Sequence, residues 1–258
     1  MARELRRLLI PRQRLAAATA GALSLSAEES RYLTRVLRYG PGDGFAVVDG
    51  EGQLWQARLE SGDRARLEQP LEKPLQRQPP PRPALVLAAA VVKRDFELVV
   101  RMAVELGVDQ LVPLVCARTA VLGQLRTDRW RTIAAEAAEQ CERLWLPQIA
   151  EPTPVADLLA PASSVRHWAT TRTEGLPDLA ERLGNPQDPG ADNTAAASPS
   201  QVWLACGPEG GWSPEEEEQA LSAGWLAVSL GSRILRSSTA AVAGIALLSS
   251  WRARRWGC

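Results

Sequence analysis

The chain has 258 residues, of which 45% are hydrophobic and 23% are charged, and its thirty basic residues balance its thirty acidic ones. These values are ordinary for a soluble globular protein, and the longest apolar runs (84–92 and 240–248) are too short to span a bilayer. The basic N-terminus also lacks the apolar core of a signal peptide. We therefore expect a protein of the cytosol or an equivalent reducing compartment.

The cysteines and the single histidine have no metal-binding pattern. Cys116, Cys141, Cys206 and Cys258 lie far apart along the chain, and His167 is the only histidine. Paired ligand spacing is the usual mark of a structural zinc site. We therefore expect free thiols, most of them buried, and no metal.

The charge is unevenly distributed. Residues 1–40 carry eight arginines against three glutamates, and residues 231–258 carry five arginines and no acid. Phosphate backbones bind local basic surfaces rather than net charge. From charge alone, this distribution is equally consistent with an RNA-binding surface and with a surface that only keeps the protein soluble.

The first helix in the sequence is predicted between a capping box and a helix stop. Ser26 and Glu29 form the capping box, and Gly40-Pro41 ends the helix. Leu33, Val36 and Leu37 have the spacing of a core-facing stripe.

Three arginines follow a second stripe of this helix. Arg31, Arg35 and Arg38 stand at i, i+4 and i+7, which places them on one helical face. Residues 44–60, GFAVVDGEGQLWQARLE, then predict two strands around a glycine-rich turn. Residues 1–72 are therefore predicted to form a small β-rich domain that carries an arginine stripe.

A proline-rich segment, residues 73–83, predicts a stiff, extended linker. Beyond it, strands alternate with helices, which predicts an α/β domain with a largely parallel sheet over residues 84–258. The predicted elements are a strand at 84–92, a helix at 94–106, a strand at 110–115, a helix at 127–144, and strands at 165–170, 202–206 and 225–230. Residues 184–200 resemble a disordered surface insertion.

An apolar strand runs directly into GPEGG, residues 207–211, and then into a helix that begins with four acids. Ser213 is a good N-cap, Pro214 suits the first helical position, and Glu216 completes a capping box. The acids at 215–218 complement the helix dipole, so we expect them to be solvated and structural. Together with Glu209 they would repel an anion, so the loop favours a neutral or cationic ligand.

A second loop of this kind follows the last predicted strand. The segment SLGSRILRSSTAAVAGIALL, residues 229–248, ends a strand near Gly231, passes through an arginine-bearing loop and starts a small-residue helix near Ser237. Loops at the carboxyl ends of parallel strands are where α/β proteins bind ligands. A Rossmann glycine motif after the first strand and a P-loop lysine motif are both missing.

Five segments, taken in order, resemble the RsmE family of the SPOUT class of S-adenosylmethionine-dependent RNA methyltransferases. They are RYLTRVLRYGPGDGFAVVDGEG (31–52), KRDFELVVRMAVELGVDQLVPLVCARTAV (93–121), EAAEQCERLWLPQI (136–149), GPEGG (207–211) and LGSRILRSSTA (230–240). The resemblance covers nearly the whole chain. It implies methylation of N3 of one uridine in 16S ribosomal RNA, as part of the small ribosomal subunit.

The resemblance also implies the architecture: a deep trefoil-knot methyltransferase domain behind an N-terminal PUA-like domain, assembled as a homodimer. It implies that backbone groups in the two glycine loops wrap the cofactor and that Ile234, Leu235 and Ser237 line an adenine pocket. The cofactor-binding set implied in this way is Leu204, Gly207, Glu209, Gly210, Gly211, Leu230, Gly231, Ile234, Leu235 and Ser237. The implied RNA-binding set is Arg31, Arg35, Arg38, Arg118, Arg143 and Arg233, with Glu139, Gln140 and Arg143 near the site.

Arg236 is the candidate catalytic residue. A guanidinium beside the target base would favour the form of uridine that has lost its N3 proton. Arg233 and Arg236 are equally well suited to bind RNA phosphate alone, since arginine prefers phosphate. No general base is obvious, and solvent water or Glu209 could serve.

The chain departs from the family pattern at three positions. Ser232 replaces a proline, Ser238 replaces a glutamate, and Met102 stands where a lysine is common. Because Ser238 is not a carboxylate, an alternative function is that of an RNA-binding assembly factor that has lost catalysis. A SPOUT enzyme with a different RNA target also stays open, although intact glycine loops favour an enzyme.

Overall fold

The computed structural model of the protein describes residues 5–18, 21–119, 125–158, 164–171, 173, 175–185 and 199–257. The chain forms two compact units: Met1–Pro80 with Ala138–Leu146, and Pro81–Ala137 with Pro147–Cys258. Most of the predicted insertion at 184–200, and Cys258, lie outside the described residues. None of the described helices is long and apolar enough to cross a membrane.

The first unit is built on one sheet with the strand order β1-β3-β4-β5-β2, and β6 pairs with β4. Among the strand pairs that the structure describes in this sheet, only β1 and β3 run parallel. The strands are β1 (Arg7–Leu9), β2 (Ala22–Ser24), β3 (Gly44–Val48), β4 (Gln53–Ser61), β5 (Arg64–Leu67) and β6 (Gln76–Arg77), and the helices are α1 (Arg12–Ala16) and α2 (Ala27–Arg31). β6 lies within the proline-rich segment, so part of that segment is a strand of this sheet.

The predicted hairpin at 44–60 is confirmed as β3 and β4, which pair antiparallel. The buried carboxylate of Asp49 shapes its turn by accepting hydrogen bonds from the backbone N–H groups of Glu51 and Gln53, at 2.8 and 3.0 Å. Large apolar side chains from both strands, including Phe45 and Trp55, fill the core of the unit. The hairpin therefore carries much of the apolar surface that this small unit buries.

The helix predicted after the capping box is confirmed only in its first turn. Ser26 and Glu29 form the reciprocal capping box of α2, but residues Tyr32–Val36 continue as a π-helix. The wider π turn changes which side chains point inward. Leu33 is buried as predicted, whereas Val36 is 63% exposed, so its assignment to the core was wrong.

The same turn disrupts the predicted arginine stripe. Arg38 has a φ of 59°, which takes it out of the helix, so the three arginines do not follow one continuous helical face. Arg31, Arg35 and Arg38 are nevertheless all exposed.

Residues Ala138–Leu146 belong to the first unit. The backbone N–H of Leu9 donates to Glu139 (2.6 Å), the guanidinium of Arg7 pairs with Glu142 (2.9 Å), and the N–H of Gly52 donates to the carbonyl of Leu144 (3.0 Å). These contacts tie the segment to β1 and to the β3–β4 turn. The sequence predicts one helix over 127–144, whereas the helix here ends at Gln140.

The second unit alternates strands and helices. Its strands are β7 (Ala84–Ala90), β8 (Gln110–Val115), β9 (Gln148–Ile149), β10 (Thr153–Pro154), β11 (Ser164–Ala169), β12 (Gln201–Cys206) and β13 (Leu226–Val228), and its helices are α3 (Phe96–Glu105), α4 (Thr127–Gln140), α5 (Leu179–Gly184), α6 (Pro214–Ser222) and α7 (Ser237–Trp256). The last residues of α4 pass into the first unit.

The sheet of the second unit is parallel throughout. Its order is β10-β8-β7-β12-β11-β13, with β9 beside β8. Such a sheet needs helices as crossovers and is apolar along its central strands, as in Leu85–Ala90, all of them buried. The predicted α/β class is confirmed. The knot stays a prediction.

The two faces of this sheet are covered by different kinds of side chain. On one side, Trp168, Trp203, Trp212 and Trp225 form a cluster of ring contacts with centroids 3.8–6.3 Å apart. On the other, α7 lies close to β12, since a Cβ added at Gly244 would stand 2.1 Å from a methyl carbon of Leu204. Small residues in α7 therefore serve close helix–sheet packing.

Candidate active site

Four loops meet at the edge of the second sheet where the parallel strands have their carboxyl ends. They follow β8, β11, β12 and β13. Together they enclose a cleft of about 710 Å³. That volume lies within the range of small-molecule binding sites.

The loop after β12, residues 207–213, is anchored by a tryptophan. The ring of Trp212 stacks on Trp168 of β11 with centroids 3.8 Å apart, and its Nε1 donates to the carbonyl of Ala169 at 2.8 Å. A Cβ added at Gly207 would come within 2.9 Å of that ring, so only glycine fits there. The backbone of GPEGG is therefore held rigidly at the wall of the cleft.

The loop after β13, residues 229–236, has a glycine-dependent turn. Gly231 has a φ of 116°, a conformation that other residues rarely adopt, and its N–H donates to Ser229 Oγ at 3.1 Å. A Cβ added at Gly231 would meet nothing within 4 Å, which leaves this wall of the cleft bare. Ser237 Oγ donates to the carbonyl of Gly207 at 2.5 Å and so joins the two glycine loops.

The loop after β8 is fixed by one contact to the GPEGG loop and one to α6. Arg118 Nη1 donates to the carbonyl of Gly210 at 2.8 Å. The N–H of Ala117 donates to the carboxylate of Glu216 at 2.7 Å. Arg118 therefore supports the cleft wall as well as lining it.

The prediction that the acids at 215–218 are all solvated was wrong for Glu216, which is buried. It is 8% exposed, and besides Ala117 it accepts the N–H of Ser213 at 2.8 Å in the predicted capping box. The capping box itself is confirmed. A local pattern could not show that the carboxylate also reaches a loop about a hundred residues earlier in the chain.

Two arginines stand free at the mouth of the cleft. Arg233 and Arg236 line it and are exposed. Within the part of the chain that the structure describes, neither guanidinium makes a hydrogen bond or ion pair. Arg236 is also the N-cap residue of α7. Both side chains are therefore available to a substrate.

Most of the predicted site residues lie together in this cleft. Those that line it are Arg118, Gly207, Glu209, Gly210, Gly211, Leu230, Gly231, Arg233, Ile234, Leu235, Arg236 and Ser237. Their roles stay predictions. The exception in the cofactor set is Leu204, a fully buried residue inside β12 that packs against α7 and does not line the cleft.

Four predicted RNA-binding arginines lie in the first unit, not in the cleft. They are Arg31, Arg35, Arg38 and Arg143. The Nε of Arg143 donates to the carbonyl of Trp145 at 3.2 Å, so part of this guanidinium is already used. Glu139 likewise accepts the N–H of Leu9.

The loop after β11 also belongs to the site, although the sequence did not predict it. Thr170, Thr171 and Thr173 line the cleft, and Thr170 Oγ1 donates to Glu217 at 2.5 Å. In the sequence, the feature that could have indicated this loop is the threonine-rich segment at the end of the predicted strand 165–170. Its meaning depends on β11 lying next to β12, which local sequence does not reveal.

Cys116 and Cys206 are unsuited to nucleophilic chemistry. Burial raises the pKa of Cys206, at the base of the cleft, to about 12. Burial, with the nearby charge of Glu216, also raises the pKa of Cys116 to about 12. Both thiols stay protonated near neutral pH. Among the described residues, no three His, Cys, Asp or Glu side chains cluster as metal ligands.

Comparisons with known proteins agree with this architecture. Residues 78–249 match the model of an RNA methyltransferase domain, and residues 25–68 match that of an RNA methyltransferase PUA domain. In fold, the chain resembles a putative methyltransferase from Legionella pneumophila solved with the bound cofactor SAM, at a TM-score of 0.77 and 24% identity, over 96% of this chain and 98% of that one. The predicted SPOUT fold with a PUA-like N-terminal domain is confirmed.

Two proteins named ribosomal RNA small subunit methyltransferase E are similar to this chain, one in sequence and one in both sequence and fold. A ribosomal RNA small subunit methyltransferase E of Synechocystis is 35% identical over 95% of this chain and 77% of its own length. A crystal structure of the protein of that name from Neisseria gonorrhoeae, bound to S-adenosyl methionine, has a TM-score of 0.75 and 26% identity over 96% of this chain and 98% of that one. The chain belongs to the RNA methyltransferase family, within the group of ribosomal RNA small subunit methyltransferase E proteins.

Proposed function

We propose that this protein transfers a methyl group from S-adenosylmethionine to N3 of a uridine in 16S ribosomal RNA, on the assembled small subunit. The observation that carries the proposal is the cleft itself. Two glycine-bearing loops form its walls at the carboxyl edge of a parallel sheet, with Arg233 and Arg236 free at its mouth. The names of the relatives and the SAM-bound Neisseria structure support the same reaction.

The cleft suits this cofactor in size and in charge. Its volume of about 710 Å³ is sufficient for a nucleoside joined to an amino acid. The bare wall at Gly231 lets a ligand approach the backbone closely. Among the charged residues of its lining, Glu209 and Glu217 provide carboxylates that can interact favourably with a sulfonium cation. Gly207, Gly210, Gly211 and Leu230 are the residues we expect to hold the cofactor through their backbone groups.

When bound, the cofactor supplies a methyl group that its sulfonium has already activated. The chain must hold uridine N3 in line with that methyl group and stabilise the base as its N3 proton leaves. Arg236, exposed and without a described partner, can donate to a uracil carbonyl oxygen as negative charge develops there. Orientation of this kind lowers barriers by roughly 7–11 kcal/mol in well-aligned systems.

Ser238 takes the place of the family glutamate, and its hydroxyl cannot accept a proton near neutral pH. We therefore propose that the N3 proton leaves to solvent and that the rate rises with pH. The test is single-turnover methylation of small subunits that lack the modification. Arg236→Ala should lose far more rate than Ser238→Ala, for which we expect a loss of about 1 kcal/mol, the energy of one hydrogen bond.

The same assay separates the alternatives. Wild-type protein that binds cofactor and subunit but forms no N3-methyluridine would favour a role in ribosome assembly without catalysis. Methylation of another RNA, and not of the small subunit, would show a different target.

We propose that the first unit binds the RNA through Arg31, Arg35 and Arg38. All three are exposed, and none makes an ion pair with a described residue. Replacing all three with alanine should flatten the dependence of log affinity on log salt by about 0.9 per lost phosphate contact. Arg64→Ala, at an exposed arginine of the same unit, is the matched control. An unchanged salt slope in the triple variant would place the RNA elsewhere.

We also propose that the protein is a homodimer of the cytosol, where ribosomal subunits are found. Its α7 leaves several apolar side chains only partly buried, among them Val242 and Leu247, and Leu98 of α3 is 45% exposed. Light scattering during gel filtration tests the oligomeric state. A monomer at micromolar concentration would rule out the dimer.

A further inference from the structure

Glu217 is the least exposed charged side chain of the cleft. It lies in the first turn of α6, one residue beyond the capping glutamate, and lines the cleft beside the loop after β11. The other charged residues of the lining are exposed, whereas Glu217 is half-buried. Solvent therefore screens its charge less than theirs.

The carboxylate of Glu217 has one described partner, and that partner is neutral. Thr170 Oγ1 donates to its Oε1 at 2.5 Å. No described cation lies within ion-pair distance of it. The cleft therefore contains a half-buried carboxylate that is oriented by a hydroxyl and makes no ion pair with a described residue.

Such a group interacts differently with the two forms of the cofactor. S-adenosylmethionine carries a sulfonium charge that its product, S-adenosylhomocysteine, lacks, and the two ligands are otherwise almost identical. A fixed carboxylate in a partly desolvated cleft favours the ligand with the extra positive charge.

We propose that Glu217, oriented by Thr170, makes the cleft selective for the charged methyl donor over the uncharged thioether product. This inference rests on the proposed function. Its consequence for turnover is that methyl transfer itself weakens the attraction between the cleft and the cofactor, which favours product release.

The experiment is calorimetric titration of the full chain with S-adenosylmethionine and, separately, with S-adenosylhomocysteine. Glu217→Gln keeps the shape and the hydrogen bond to Thr170 but removes the charge. We expect it to weaken binding of the methyl donor about tenfold and binding of the product less than twofold. Glu218→Gln, at an exposed residue of the same helix that does not line the cleft, should change neither affinity.

Two further measurements sharpen the test. Thr170→Val leaves the charge but frees the carboxylate, and it should reduce the preference for the methyl donor about threefold. The effect of Glu217→Gln should persist at 0.5 M salt, because a half-buried charge is less screened than a surface charge.

Equal weakening of both ligands by Glu217→Gln would overturn the inference and leave the proposed function intact, since the carboxylate would then contact a part that the ligands share. Unchanged affinity for both would also overturn it. Wild-type protein that binds neither ligand would overturn the inference and the proposed function together.

Discussion

Replacing Glu216 with alanine should weaken cofactor binding, because this buried carboxylate joins two loops of the cleft. It accepts hydrogen bonds from the N–H groups of Ala117 and Ser213 at 2.7 and 2.8 Å. A hydrogen bond to a charged group contributes about 1.5–3 kcal/mol. Water can reach the exposed Ala117 after the change, so we expect a loss of about 3 kcal/mol and not the full sum.

That loss affects both the stability of the second unit and the binding-competent conformation of its loops. For a domain of this size, about 3 kcal/mol lowers the melting temperature by roughly 6–12 °C. Each 1.4 kcal/mol that falls on the loop conformation weakens binding tenfold. We therefore expect the affinity for S-adenosylmethionine to fall between 10- and 100-fold in the Glu216→Ala variant.

Calorimetry and thermal melting, each with two further variants, test this expectation. Glu216→Gln retains one carbonyl acceptor and should lie between wild type and alanine in both measurements. Glu218→Ala removes an exposed acid from the same helix and should change neither. A Glu216→Ala protein with wild-type melting temperature and wild-type affinity would refute the reasoning.

Three other changes have defined outcomes. Gly207→Ala should reduce cofactor affinity at least tenfold, because the added Cβ would stand 2.9 Å from the ring of Trp212 and push it off its partner ring. Gly210→Ala should have a smaller effect, because the added Cβ would stand no closer than 3.2 Å to Arg118 and would touch no ring. Equal affinities of the two variants would contradict this. Burial, with the nearby charge of Arg182, lowers the pKa of His167 to about 4, so the unfolded chain binds a proton between pH 6.5 and 4 that the folded chain does not. The free energy of unfolding should therefore fall by about 3 kcal/mol as pH drops through that window, and urea titrations of His167→Gln should lack this component. Iodoacetamide at pH 8 should leave Cys206 unmodified in the folded protein, and rapid labelling would show that its thiol is not held protonated.

The sequence by itself determined the local features of the site. Ser213 and Glu216 form the capping box that their spacing predicts. The strands before both glycine loops lie within a residue or two of their predicted positions, since short apolar runs that end before a glycine define them. Once the sheet is parallel, its carboxyl edge must carry these loops, so most of the predicted cleft residues meet there.

Several predictions depended on local periodicity alone and went wrong where the backbone departs from a regular helix. A π turn at Tyr32–Val36 exposes Val36 and moves Arg38 off the predicted face. A periodicity of 3.6 residues cannot anticipate such a turn, because it assumes a constant rotation per residue.

The tertiary structure decided which distant segments meet. Strand order places β11 beside β12, which brings Thr170 to Glu217, and the loop after β8 approaches α6, which buries Glu216 against Ala117. The assignment of Ala138–Leu146 to the first unit has the same origin, in hydrogen bonds to β1 and to the β3–β4 turn. Local propensity concerns residues a few positions apart, whereas these contacts follow from burying apolar surface between elements separated by about fifty to a hundred and thirty residues.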